Sequence, residues 1–401
     1  MVQNPGDRAR IVVLAGRMYP GRSGMDLRWQ ALGEALGQHA ECVYREISCD
    51  RREHCRSACQ LTGVPASGDS VAWRPDGSVS FADRRFCEGY ATRLAQEFAA
   101  DGVSMVVCSG LETSRYVPLL AGQPGLTVVF DMHNVERALA DELRRAAPSG
   151  SYYATVFSPE TISLVEAMEA AAVAAADEVW VCSPDDRALA SSLYGEGARI
   201  TVVPNVVSLS SSARPPSSAD RIVYTGRMDY YPNMDAGLRL GYEITPLLRG
   251  RGHDVPVVIA GGYAQEMLDG PPLPPGVELV SSPPSTVDLI TGGIMAVPLA
   301  AGGGTRFKIL EAFAYGAPVV STVKGAEGLG LVPGTHYLNA ESAAEFVDAI
   351  EALLEDAGLR DRLADAAWDL VSERYSVRAL AERLRPAVEA AASSQIMHGP
   401  S

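Results

Sequence analysis

Short apolar runs alternate with helical segments twice along this chain of 401 residues, and that repetition limits what it can fold into. In the first half Ile11–Ala15, Glu41–Ile47, Val103–Cys108, Thr127–Phe130, Glu178–Cys182 and Thr201–Asn205 read as strands. Met25–Gln38 and the alanine-rich Thr161–Ala176 read as helices between them. The second half repeats the pattern with strands at Arg221–Thr225, Val255–Ala260, Val277–Val280, Ile294–Pro298 and Pro318–Ser321. Its helices are expected at Asp235–Leu248, Thr305–Tyr315 and from Ala343 to about Ala392. Apolar strands alternating with helices predict α/β domains with parallel sheets, whose ligands bind at the carboxyl ends of the strands.

The expected organisation is an N-terminal domain over 1–205, a Ser- and Pro-rich linker over 206–220, a second domain over 221–375, and a C-terminal helix and tail over 376–401. The alternation breaks near 48–90, which reads as an insertion with a hairpin at Val71–Phe81 around a Pro-Asp-Gly turn.

The segment Pro298–Ser321 says most about chemistry. It reads as a strand end, a run of Gly302, Gly303 and Gly304, a helix whose start carries Thr305, Arg306 and Lys308, and another strand. A helix N-terminus offers unpaired N–H groups and partial positive charge, and glycines let an anion come close. Of 34 Lys and Arg residues only Lys308 and Lys324 are lysines, and both fall near this element. Gripping a phosphate or diphosphate is the simplest chemistry for it, with Arg306 and Lys308 facing the ligand. A flexible turn followed by an exposed Lys308–Glu311 pair is the alternative. Neither a Gly-x-x-x-x-Gly-Lys-Ser/Thr loop nor a Gly-x-Gly-x-x-Gly fingerprint is present.

A net charge of −15, spread over both halves, disfavours nucleic acid and anionic lipid as partners. No apolar run approaches the length of a membrane span, and the first strand is too short for a signal-peptide core, so a cytoplasmic protein is expected. All seven cysteines lie in the N-terminal half. Cys55 and Cys59, with Cys49 and His54 nearby, lack the second tight pair of a zinc site, so free thiols are expected. Asp185-Asp186 follows Ser-Pro and reads as a helix start rather than a metal-binding pair.

Three stretches resemble glycosyltransferase family 4: Tyr224–Ala236, Val297–Thr322 and Gly325–Leu329, with shorter echoes at Gly24–Arg28 and Asp131–Glu136. The resemblance is specific over roughly Val203 to Leu329. It implies a GT-B fold, two facing Rossmann-like doubly wound domains, and a retaining enzyme using a nucleoside-diphosphate sugar. By that resemblance Glu311 bonds the donor ribose, Arg227 after Gly226 binds the diphosphate, and Gly24 lies in a glycine loop that lets the diphosphate approach, a plain turn glycine being the alternative. Gly303 stands where the family has the first glutamate of a pair, so backbone N–H groups of Gly303, Gly304 and Thr305 are expected to substitute for it. His133 matches a histidine that contacts the donor sugar; a loop histidine bonded to backbone is the plainer alternative. Asp131 or Asn134 reads equally as a helix cap.

The expected function is therefore retaining transfer of a sugar, by default from a uridine diphosphate donor, to a soluble small-molecule acceptor such as an aminocyclitol. His133, Arg227, Arg306 and Lys308 are the expected catalytic groups, with no cofactor and no metal. A polysaccharide-building transferase is the next reading. A nucleotide-sugar epimerase and a non-catalytic nucleotide-sugar-binding partner are rivals of another class.

Overall fold

The structure, a computed structural model, describes residues 8–16, 24–47, 86–195, 197, 199–209, 213–264, 272–304 and 306–398. The insertion with its Val71–Phe81 hairpin, Cys49, His54, Cys55, Cys59 and Thr305 lie outside the described residues. The chain divides into two compact units, Met1–Pro204 with Leu380–Ser401, and Asn205–Ala379.

In the first unit six strands, β1 (Arg10–Ala15), β2 (Glu41–Glu46), β3 (Val103–Ser109), β4 (Thr127–Met132), β5 (Glu178–Val181) and β6 (Ile200–Val202), form one parallel sheet. Their order is β2-β1-β3-β4-β5-β6. Every residue of β3 is buried, as an apolar strand covered on both faces requires. Val106, Val128 and Phe130 pack with Tyr90, Leu94 and Tyr116 in this unit's core. The order reverses between β1 and β3, where the strand ends open a crevice.

The second unit has β7 (Ile222–Thr225), β8 (Val257–Gly261), β9 (Val277–Ser281), β10 (Ile294–Val297), β11 (Val319–Ser321) and β12 (Leu338–Asn339). They pair in parallel in the order β12-β11-β10-β7-β8-β9. This is the dinucleotide-fold order, with its reversal between β7 and β10. Val223, Ile259 and Met295 pack with Leu310, Phe313 and Phe346 beneath it.

Some elements depart from expectation. The helix predicted over Asp235–Leu248 runs from Tyr231 to Leu238, widens into a π turn over Arg239–Ile244, and resumes at Thr245–Gly250. Pro246 has no N–H to donate within the helix, and the wide turn absorbs the defect. Thr245 Oγ1 donates to the Leu240 carbonyl at 2.7 Å there. The two-residue strand β12 went unread because it is too short to show a period. The helical C-terminal stretch is three helices, Ala343–Glu355, Ala357–Arg374 and Val377–His398. From Leu380 the last of these packs in the first unit, where Gln395 donates to the Gly102 carbonyl at 2.6 Å.

Candidate functional site

In the second unit the order reversal brings the loop after β7 beside the loop after β10. Lys308, half-buried, donates through Nζ to the Tyr224 hydroxyl and to Asn233 Oδ1, both at 2.8 Å. Asn233 Nδ2 in turn donates to the Arg227 carbonyl at 3.0 Å. One amide thus ties the lysine to the backbone of the facing loop. Burial, then the Arg306 charge, push the Lys308 ammonium well below the ordinary lysine range. Gly226 lies against that amide; a Cβ there would sit 2.9 Å from Asn233. Arg227 is partly exposed, holds Asp229 at 3.0 Å through Nε, and lies 5.4 Å from the Tyr263 ring centre.

Arg306 behaves differently from the expectation that it faces a ligand. Its guanidinium is buried and donates to the carbonyls of Gly302 (2.6 Å), Gly303 and Gly304 (2.5 Å). Gly302 and Gly304 have φ of +115° and +71°, conformations that glycine adopts without a Cβ clash, and these turn their carbonyls inward. Held this way, Arg306 is the N-cap and the helix begins at Phe307, two residues later than the sequence suggests. Arg306 therefore shapes the loop. Glu311 is half-buried one turn further along the helix, near enough for its charge to act on Lys308. Lys324 pairs with Glu327 at 2.7 Å.

In the first unit His133 directly follows β4 and is 7% exposed. Its Nε2 lies 2.6 Å from Ser109 Oγ, at the end of β3. Ser109 donates to Asp131 Oδ2 at 2.5 Å and accepts from Trp29 Nε1 at 3.0 Å. Asp131 has no exposed surface; Arg28 grips both its oxygens through Nε at 3.1 and 3.0 Å, and reaches it again through Nη2. Burial opposes ionisation of Asp131, but the Arg28 charge and the hydrogen bonds from His133 and Arg28 together outweigh it and hold the carboxyl well below its usual range. Asp131 is thus an ion-pair partner and not a helix cap. The helix Glu136–Ala146 is held instead by Glu169, which accepts from the N–H groups of Glu136 (2.8 Å) and Arg137 (3.0 Å). Gly24 is exposed at the start of the helix Gly24–Gly37 that carries Arg28 and Trp29.

The structure thus gathers Gly226, Arg227, Gly303, Gly304, Arg306, Lys308 and Glu311 in the second unit and His133 in the first. Arg28, Trp29 and Ser109, and likewise Tyr224 and Asn233, carry no functional signal in their spacing, because partners such as Trp29 and Ser109 or Lys308 and Asn233, 80 and 75 residues apart, meet only through the fold. Among the described residues no three His, Cys, Asp or Glu side chains gather as a metal site.

Residues 219–356 match the family model described as glycosyl transferases group 1. The second unit carries that domain. No curated protein matches the chain in sequence. Among solved structures it is similar to sucrose-phosphate synthase from Thermosynechococcus elongatus, at 16% identity and a TM-score of 0.67, covering 96% of this chain and 99% of that one. It is similar also to a glycosyltransferase from Rickettsia africae, at 12% identity and a TM-score of 0.65, covering 96% and 99%. A third is Anabaena HepE in complex with UDP, at 13% identity and a TM-score of 0.63, covering 95% and 100%. These likenesses show the fold: it is GT-B, two Rossmann-like domains with a helical C-terminal segment. Among the described residues no helix is long and apolar enough to cross a membrane.

Proposed function

We propose that the chain is a retaining glycosyltransferase of family 4 type, moving a sugar from a uridine diphosphate donor to a soluble small-molecule acceptor. The observation that carries this reading is the switch point of the second sheet, inside the segment matched by the group 1 model. There, among the described residues, Lys308 hydrogen-bonds two neutral oxygens, beside the glycine loop and Arg227. A cation with neutral partners at the end of a parallel sheet favours an anionic ligand. The HepE structures with UDP and with UDP-glucose support uridine as the base.

In this reading Glu311 accepts from the ribose hydroxyls, while Arg227, Lys308 and the N–H groups of Gly303, Gly304 and Thr305 stabilise the departing diphosphate. Arg306 contributes by fixing the loop that presents those groups. A phosphate oxygen of the donor takes the acceptor proton on the face where the bond breaks, which retains the anomeric configuration. His133 accepts from a sugar hydroxyl. Cations perform the neutralisation a metal would otherwise supply, and the reaction belongs in the cytoplasm. Gly24 is assigned to the diphosphate side, and the acceptor to an aminocyclitol-like scaffold.

The test is to incubate the purified chain with UDP-glucose and a panel of acceptors, glycans included, in excess EDTA, following UDP release and product mass. Acceptor-dependent UDP release in EDTA supports the reading. A change in the donor without acceptor marks an epimerase, and rescue only by Mg²⁺ or Mn²⁺ overturns the metal-independent account.

A further inference from the structure

The hydrogen-bond count around Ser109 decides where the proton of His133 sits. A serine hydroxyl has one hydrogen, and here it goes to Asp131 Oδ2, which as a carboxylate can only accept. Trp29 Nε1 is a donor only and occupies one side of the Ser109 oxygen. The 2.6 Å contact between Ser109 Oγ and His133 Nε2 therefore needs a hydrogen on Nε2. A hydrogen there also suits the 3.3 Å approach of Nε2 to Asp131.

The charge of the ring follows from its neighbours. Asp131, 3.3 Å from Nε2, already carries the Arg28 charge, so an imidazolium would leave these three buried groups with a net positive charge. Of the other ionisable groups nearby, the Cys182 thiol is pushed up to about 12 by burial and donates to the His133 carbonyl at 3.3 Å. The Glu136 carboxyl, raised by burial, accepts from Asn134 Nδ2 at 2.8 Å. A neutral ring protonated on Nε2 leaves Nδ1 with a lone pair. Nδ1 is buried and has no hydrogen-bond partner among the described residues. The ring lies against Gly110, whose φ is +81° and where a Cβ would come within 3.6 Å of Cε1 and 3.8 Å of Nδ1. A glycine keeps that side of the imidazole clear.

We propose that Arg28, Asp131, Ser109 and Trp29 are positioning residues that fix His133 as its Nε2–H tautomer and turn the Nδ1 lone pair toward a sugar hydroxyl. A lone pair accepts a hydroxyl hydrogen and repels a phosphate, so this crevice reads the uncharged part of a substrate. The identity of that substrate rests on the glycosyl-transfer reading above; the proton arrangement does not.

The test is long-range ¹⁵N–¹H correlation NMR of the full chain labelled at its six histidines, with His133→Gln identifying the His133 signals. The expected result is a His133 ring with a slowly exchanging proton on Nε2 and none on Nδ1. Ser109→Ala should then speed exchange of that proton with water about tenfold or more, the size of one lost hydrogen bond to a buried group. Trp29→Phe, which removes only the indole donor, keeps the comparison available if Ser109→Ala does not fold. A wild-type ring protonated on Nδ1, or charged, overturns the proposal even if the chain proves to be an active transferase. Absence of turnover with the expected tautomer would instead remove the sugar reading alone.

Discussion

The ammonium of Lys308 lies 2.8 Å from the hydroxyl of Tyr224 and 4.1 Å above the centre of the same ring. It thus forms a hydrogen bond and a cation–π contact to one side chain, yet burial still depresses its protonation. A lysine whose folded-state value is lowered binds fewer protons folded than unfolded, so its charge costs stability at low pH and that cost is relieved as pH rises toward 10. Relative to Lys308→Met, the wild type should therefore gain stability from neutral to alkaline pH. Urea midpoints of both proteins at several pH values check this, and parallel curves would refute it.

Arg306→Ala should lower stability as well as activity. Three loop carbonyls lose their donor, at a cost of about 2–4 kcal/mol for breaking a buried charged hydrogen-bond network. The melting temperature reads the outcome. An unchanged melting temperature with lost UDP binding would mean that the guanidinium serves the ligand and not the loop.

Glu169 gives a second pH signature, of opposite sign. Burial pushes its carboxyl up to about 7, despite bonds from Tyr194 and two backbone N–H groups. The folded state then holds a proton that the unfolded state has released, so stability falls between about pH 4.5 and 7. Relative to Glu169→Gln, the wild type should lose at most about 3 kcal/mol across that interval. A flat difference between the two unfolding profiles would count against it.

His133 substitutions separate its two nitrogens. Asn places an amide oxygen near the Nδ1 position, whereas Gln reaches toward the Nε2 position. His133→Asn should keep more turnover than His133→Gln, and His133→Ala should lose about 10- to 1000-fold. Steady-state rates with one donor and acceptor pair decide the ranking, and Gln above Asn would reverse the assignment of faces.

The fold was largely legible because buried parallel strands are short apolar runs, as in Val103–Cys108 and Ile294–Pro298. The glycine-rich loop was legible too, since Gly302 and Gly304 mark the backbone that needs positive φ. The direction of Arg306 was not. A guanidinium can face ligand or carbonyls with the same local sequence, and only the inward turn of Gly302–Gly304 decides it. The Arg28–Asp131 pair was equally hidden, because no local pattern records a contact across 103 positions.

The most direct test of the central claim is calorimetric titration of UDP into the wild type and into Glu311→Gln. A nucleotide site at the second switch point predicts saturable binding to the wild type, weakened about tenfold or more in the variant by loss of a charged acceptor for the ribose hydroxyls. Equal affinity in the two proteins would remove Glu311 from the site, and no binding of UDP to the wild type would contradict the account.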